Sequence, residues 1–200
     1  MVEQEPTAQG RRRSNQAHQA ILQATRDVLS QVGYRDMTIE AIAATAGVGK
    51  KTIYRWWPSK AAVALEALTS SAEAHVPFPD TGSLGDDLLT YFEQAFPGLQ
   101  GKSGTVLSGL AAEAQLDPEF ARAFQQTFIV PMKTGLVALL ERGLQRGELA
   151  PDTNLNVLAD LIYGAKWYRF LLYPAPLDDV FARDIVKLIL RLKEHSTLAE

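Results

Sequence analysis

The chain has 200 residues, 46% of them apolar and 22% charged, with a formal net charge of -3 and no cysteine. That composition can bury a real core, as one compact unit or a small module joined to a larger one, and it excludes a disulfide framework or a thiolate metal site. With no N-terminal apolar segment and no apolar run of about eighteen residues, the chain is expected to be soluble and cytoplasmic, with no membrane partner.

The small net charge hides an asymmetry. Residues 11–60 carry nine Arg and Lys against three Asp and Glu, a local charge of +6, whereas residues 61–200 carry eleven against eighteen, or -7. One end seeks polyanions and the other repels them. Residues 1–14 are polar, proline-containing and aperiodic, and read as a disordered basic arm ending in Arg11, Arg12 and Arg13. Such an arm can neutralise phosphates, reach into a minor groove, or simply remain solvated. From Asn15, the apolar positions Ala17, Ala20, Ile21, Ala24, Val28 and Val32 keep helical spacing until Gly33, giving a supporting first helix.

Thr38 to Lys60 then holds two short helices and a tight turn. Thr38 can cap the first, Ile39, Ile42 and Ala43 share a face, and Gly47 falls where a left-handed residue would end it. The second, predicted over Lys50 to Trp57, buries Ile53 and Trp57 and leaves Lys50, Lys51, Thr52, Tyr54, Arg55 and Trp56 projecting. Lys and Arg match phosphate oxygens and guanine edges, Thr and Tyr donate to phosphates, and a helix N-terminus such as that after Gly49 adds its amides. These features read as helix-turn-helix, although an ordinary antiparallel helix pair with a charged face has the same pattern. Pro58 stops the second helix, Ser59 can cap the next, and that helix, from Lys60 to about Ala74, leaves the module. Lys60 and Tyr54 are expected on phosphates and Arg55 on a base edge.

This stretch resembles the DNA-binding signature of the TetR family of repressors. That pattern runs threonine, small-residue helix, A-G-V turn, then T-x-Y-x-x-F-x-x-K, matched by Thr38, Ala46-Gly47-Val48, Thr52, Tyr54, Trp57 and Lys60. Trp57 stands at the usual Phe, and Trp56 is also unusual in its place, departures that bear on packing and base preference and not on docking mode. The resemblance implies an all-α protein with an N-terminal three-helix DNA-binding domain and a C-terminal helical domain for ligand binding and dimerisation. Its DNA-binding residues would be Thr38, Gly49, Lys50, Lys51, Thr52, Tyr54, Arg55, Trp56 and Lys60. The helix from Lys60 would carry ligand occupancy to the recognition helix.

Val76 to Gly85, with Pro77, Pro79, Gly82 and Gly85, breaks periodicity, so the DNA-binding domain is placed at 15–76 and the regulatory domain at 77–200. Breakers divide the rest into helices at about 84–96, 104–115, 118–129, 131–146, 153–173 and 177–194, with Asp117-Pro118 and Asp152-Thr153 as capped starts. Aromatic residues recur at helical spacing, which fits packing first. The resemblance adds an effector cavity, with Phe92, Phe96, Phe128, Met132 and Trp167 as its lining and an apolar or aromatic small molecule as partner. In the last helices Phe181, Ile185, Leu188 and Leu192, together with Leu158 and Ile162, give more apolar perimeter than one core needs, so a second copy of the chain is expected to cover it.

No catalytic constellation is found. His18, His75 and His195 have no ligand spacing, no Ser or Cys stands in a nucleophile turn, and Gly47 to Thr52 lacks phosphate-loop spacing. No metal, cofactor or enzymatic activity is therefore expected. The expected function is a homodimeric repressor of a palindromic operator on double-stranded DNA, released by a small effector. Two alternatives are a small-molecule carrier or enzyme using the C-terminal cavity, and a DNA-binding protein with no inducer.

Overall fold

The caps and breakers above become helices in the computed structural model, which describes residues 8–71, 78–173 and 175–192, the first six as backbone only. The order is α1 Ala8–Asp36, α2 Ile39–Ala46, α3 Lys50–Tyr54, α4 Lys60–Thr69, α5 Leu84–Gln100, α6 Lys102–Leu116, α7 Pro118–Phe124, α8 Val130–Gln145, α9 Leu155–Trp167 and α10 Asp179–Arg191. Two π-helical turns, Gln125–Ile129 before α8 and Tyr168–Leu172 after α9, complete the set, and no strand occurs among the described residues. The protein is all-α, as expected.

The N-terminal arm needs correction. Backbone helix begins at Ala8, so Arg11, Arg12 and Arg13 sit on α1 and not in an aperiodic arm, while the side chains of 8–13 and all of residues 1–7 lie outside the described residues. α1 is broken at Gly33, whose φ of 76° and ψ of 177° suit glycine alone.

Contacts divide the chain into two units. The first joins α1–α4 to residues 105–121, so a boundary drawn once, at about residue 76, does not separate the contacts. Its buried face on α1 is Ile21, Leu22, Ala24, Thr25, Val28 and Leu29, whereas Val32 is exposed. Thr25 meets its burial by donating its hydroxyl to the Ile21 carbonyl at 2.8 Å. Tyr34, Met37, Ile42, Ile53, Trp57, Val63 and Ala64 continue the core, joined by Val106, Leu107 and Leu110. Gly109 is needed here because a Cβ would lie 2.3 Å from the Tyr34 ring, and the Tyr34 hydroxyl donates to Glu113 at 3.3 Å.

The second unit packs α5, α8, α9 and α10 around Leu84, Leu88, Tyr91, Phe92, Phe96, Leu136, Leu139, Leu140, Leu158, Ile162, Ile185 and Ile189. Ser83, Asn154 and Asp178 cap α5, α9 and α10 by accepting from Asp86, Val157 and Phe181 amides. The cap of α9 is thus Asn154, one residue past the expected Asp152-Thr153. At the start of α5, buried Asp87 accepts from the Thr81 amide (2.6 Å), the Thr81 hydroxyl (2.8 Å) and Arg146 (3.1 Å). Burial opposes its charge, but these donors outweigh it and hold the carboxyl below its usual range.

Candidate nucleic-acid interface

Local chemistry sets the turn. The Thr38 hydroxyl accepts from the Ala41 amide at 3.1 Å and starts α2, and Gly47 ends it with φ 66° and ψ 31°, left-handed backbone that a Cβ would penalise. Val48 returns its amide to the Ala43 carbonyl at 3.0 Å, and Gly49 enters α3 extended with no side chain over the helix N-terminus. α3 is shorter than expected. It closes at Tyr54, and Trp56 and Trp57 follow in a turn with both amides on the Ile53 carbonyl, at 2.9 and 3.0 Å.

Ile53 and Trp57 are buried, which anchors the turn on the core and leaves Lys51, Tyr54 and Arg55 exposed and Thr52 half-buried. Thr38, Tyr54, Ser59 and Lys60 line one open concavity with Arg35 and Glu40, so the starts of α2 and α4 face the same space as Tyr54. Trp56 does not project freely. It is half-buried, edge-on to His18 at 5.3 Å and to Trp57 at 5.6 Å, with the Arg55 guanidinium 4.6 Å from its ring centre. Trp56 thus packs on His18 and Trp57 and carries the Arg55 guanidinium over its ring.

Lys60 also departs from expectation. Its ammonium donates to the Tyr34, Arg35 and Met37 carbonyls at 3.2, 3.3 and 3.4 Å and lies 4.8 Å from the Tyr34 ring centre. An ammonium has three donors, and Lys60 directs them at the end of α1. Lys50 is paired with Glu40 at 2.9 Å, and this bond raises the lysine and lowers the carboxyl from their usual ranges. The exposed cations not engaged in this way on the recognition segment are Lys51 and Arg55.

Sequence reading missed the acceptor of the Trp57 indole. Its Nε1–H donates to Glu66 at 2.7 Å, and the other Glu66 oxygen lies 3.1 Å from His18 Nε2, with the imidazole stacked on Trp57 at 4.7 Å. A buried indole N–H needs an acceptor, and Glu66 stands one helix onward in an otherwise apolar stretch, which was the available signal.

In the second unit the residues of the expected ligand lining have packing partners of their own. Phe92 and Phe96 are buried and stacked at 5.1 Å, and Phe96 stacks on Phe181 at 6.1 Å, which makes them core. Phe128 stacks on Phe124 at 5.4 Å, Trp167 meets Phe170 edge-on at 5.7 Å, and Met132 is half-buried with its carbonyl accepting from Tyr163. The i, i+4 spacing of Phe92 and Phe96 thus serves ring packing. The expected interface residues divide as well. Leu158, Ile162 and Ile185 are buried in the chain's own core and Phe181 is half-buried, whereas Leu188 is 64% exposed and Leu192 is exposed. On α9 the outward residues are Val157 and Leu161, the latter 64% exposed, and both share a shallow concavity with Leu192.

A left-handed glycine between two short helices, the second bearing an exposed Lys, Tyr and Arg, is a helix-turn-helix module. Residues 21–67 match the family described as bacterial regulatory proteins, tetR family, and residues 78–189 match the tetracyclin repressor-like C-terminal domain. The chain belongs to the TetR family of helix-turn-helix transcriptional regulators. It is 38% identical over 177 residues to the uncharacterized HTH-type transcriptional regulator YdeS of Bacillus subtilis, covering 88% of this chain and 89% of that one. The crystal structure of the TetR family transcription regulator SCO0332 superposes with a TM-score of 0.76 at 31% identity, over 88% of this chain and 97% of that one. Thermus thermophilus FadR in complex with lauroyl-CoA shares the fold, with a TM-score of 0.66 at 21% identity over 92% of this chain and 96% of that one. The relatives named are transcriptional regulators, and among the described residues no helix is long and apolar enough to cross a membrane.

Proposed function

We propose that this protein is a repressor that binds a palindromic operator as a homodimer and is released by a small apolar or aromatic effector. The observation that carries the DNA half is the exposed row Lys51, Tyr54 and Arg55 beside the capped start of α2 at Thr38. Thr38, Gly49, Thr52 and Tyr54 supply hydroxyl and backbone donors to phosphates, Lys51 a cation, and Arg55 the base contact, with Trp56 and Lys60 holding that surface in shape. Two copies would place two recognition helices in successive major grooves, with half-sites about one helical turn apart or somewhat more.

Dimerisation is supported by the exposed leucines and valine of α9 and α10, Val157, Leu161, Leu188 and Leu192, a larger apolar face than a solvated helix pair carries. The effector is supported by the fold shared with Thermus thermophilus FadR, whose structure is in complex with lauroyl-CoA, and by the ring-rich core of the second unit of this chain. Footprinting on DNA flanking the protein's own gene, followed by a melting screen and DNA release, tests the whole reading. A carrier or enzyme would bind compounds without salt-sensitive duplex binding, and a regulator with no inducer would bind DNA that no stabilising compound relieves.

A further inference from the structure

Lys166 is the buried cation of the second unit, with 2% of its surface exposed. It stands on α9 three residues after Tyr163, and its ammonium lies 4.5 Å from the Tyr163 ring centre and 5.8 Å from that of Tyr91 on α5. Among the described residues no carboxylate pairs with it. Asp160, the acid on the same helix, is exposed and engaged by Lys133 at 2.7 Å.

The two tyrosines do not neutralise it either. The Tyr163 hydroxyl donates to the Met132 carbonyl at 2.9 Å, so the 3.2 Å contact between the two hydroxyls takes its proton from Tyr91. Both phenol protons are thereby used, that of Tyr91 on Tyr163 and that of Tyr163 on the Met132 carbonyl, and burial keeps both groups un-ionised by pushing them up, Tyr91 to about 12. Phe78 stacks on Tyr91 at 5.0 Å and closes that side with an apolar ring. A methionine would fill the same volume without the cost of an unpaired amine in an apolar site. Burial alone drives the Lys166 ammonium down to about 7, so its protonation responds to whatever comes near it.

The backbone gives an independent sign. π-helical turns, rare in proteins and frequent at functional sites, adjoin two of the three elements that supply this cluster, α8 and α9: Gln125–Ile129 ends three residues before Met132, and Tyr168–Leu172 begins two residues after Lys166. A π turn widens the helix and loosens its ladder, so the segments on either side of the Met132–Tyr163–Lys166 contact are those most able to shift.

We propose that Lys166 is the polar anchor of the effector site and that the effector is an acid, an apolar body ending in a carboxylate that pairs with this amine beside Tyr91 and Tyr163. The proposal rests on the effector half of the proposed function. Its chemistry is an ion pair in a low-dielectric site, with the tyrosine and phenylalanine rings receiving the apolar body.

The test uses the full chain and matched probes: phenylbutyrate, naphthoate and decanoate, each against its own primary amide. At least one carboxylate is expected to bind about tenfold tighter than its amide and to release DNA, since tenfold is the least an unscreened ion pair should give over a neutral hydrogen bond. Lys166→Met should bring the two affinities together while leaving the amide's binding intact, and Lys166→Gln serves if that variant folds poorly. Calorimetry of the unsubstituted protein in buffers of different ionisation enthalpy gives a reading that needs no variant. At about pH 8 carboxylate binding should take up close to one proton, and amide binding none. Amides that bind and release DNA as well as the carboxylates, with no proton uptake, would overturn the acidic effector and leave the inducible repressor standing. Failure of every probe to stabilise the protein or release DNA would overturn the effector reading and this proposal together.

Discussion

Replacing Lys166 by methionine should make the free protein more stable, by an amount that depends on pH. The side chain is fully enclosed, and methionine keeps the stem's contacts while removing the amine. Burial lowers the folded-state value to about 7, against about 10.4 in an unfolded chain, so at about 1.4 kcal/mol per pH unit the upper limit of the penalty is roughly 5 kcal/mol. The sign follows from proton binding. Between about pH 7 and pH 10.4 the unfolded chain holds a proton that the folded chain lacks, so the stability of the unsubstituted protein rises with pH across this window. Below about pH 7 both states are protonated and the penalty is full and constant. Urea denaturation of both proteins at about pH 6, 8 and 9.5 should therefore show Lys166→Met ahead by several kcal/mol at the lowest pH, with the gap closing as pH rises. A gap that does not change with pH, or a variant less stable than its parent at every pH, would mean that the charge is compensated in the fold and would refute the argument.

The other predictions concern the DNA surface, the dimer and the α5 cap. Arg55→Ala should cost about 1 to 3 kcal/mol on the operator and much less on scrambled duplex, and Lys51→Ala should lower the salt slope of binding on both by roughly one unit, measured by isotherms at several salt concentrations. Lys60→Met should leave that slope unchanged and instead lower folding stability by about 1 to 3 kcal/mol, since three carbonyls at the end of α1 lose their donor. Leu161→Glu and Leu188→Glu should give folded monomers by sedimentation, because both residues are exposed in the protomer, whereas Ile185→Glu should unfold it. Asp87→Asn should cost about 3 kcal/mol at neutral pH and flatten the acid limb of the stability profile: with its folded value depressed, Asp87 stabilises the fold above the usual carboxylate range, and that contribution is lost as pH falls through the lower folded value.

Helix positions were legible wherever a local rule sets them. Thr38 and Ser59 are caps because a short side-chain oxygen meets the free amides of a helix start, and Gly33 and Gly47 mark breaks because only glycine takes their backbone angles without strain. The same holds for Ile53 and Trp57, whose spacing put them on one buried face. What could not be read was the tertiary partner of a side chain with two plausible fates. Lys60 near a helix start suits a phosphate or the carbonyls of a neighbouring helix equally, and only the fold brings the end of α1 within reach. Ile185 and Leu188 are both apolar residues of one amphipathic helix, three apart, and the side that faces the protomer depends on the roll of α10 on α5, which periodicity leaves free. Lys166 escaped for the opposite reason: a lone lysine in an apolar helix reads as a solvated charge, since lysine is seldom buried.

Within the first unit, side-chain ties link α4 to both α1 and the recognition segment. α4 is tied to the recognition segment by the Glu66–Trp57 hydrogen bond at 2.7 Å and to the end of α1 by the three carbonyl bonds of Lys60. Arg26 adds a third tie, from the middle of α1 to Ser70 just beyond α4, at 3.4 Å. These attachments lie at the start, middle and end of α4, so the helix cannot slide along α1 or turn against α3 without breaking at least one bond to a buried or half-buried group. Moving α4 as a body therefore costs less than moving it against its neighbours. A displacement applied to α4 would carry α3, with Lys51, Tyr54 and Arg55, by the same rotation. That is the property a connecting helix needs if the orientation of the DNA-reading surface, and not its internal shape, is what regulation changes.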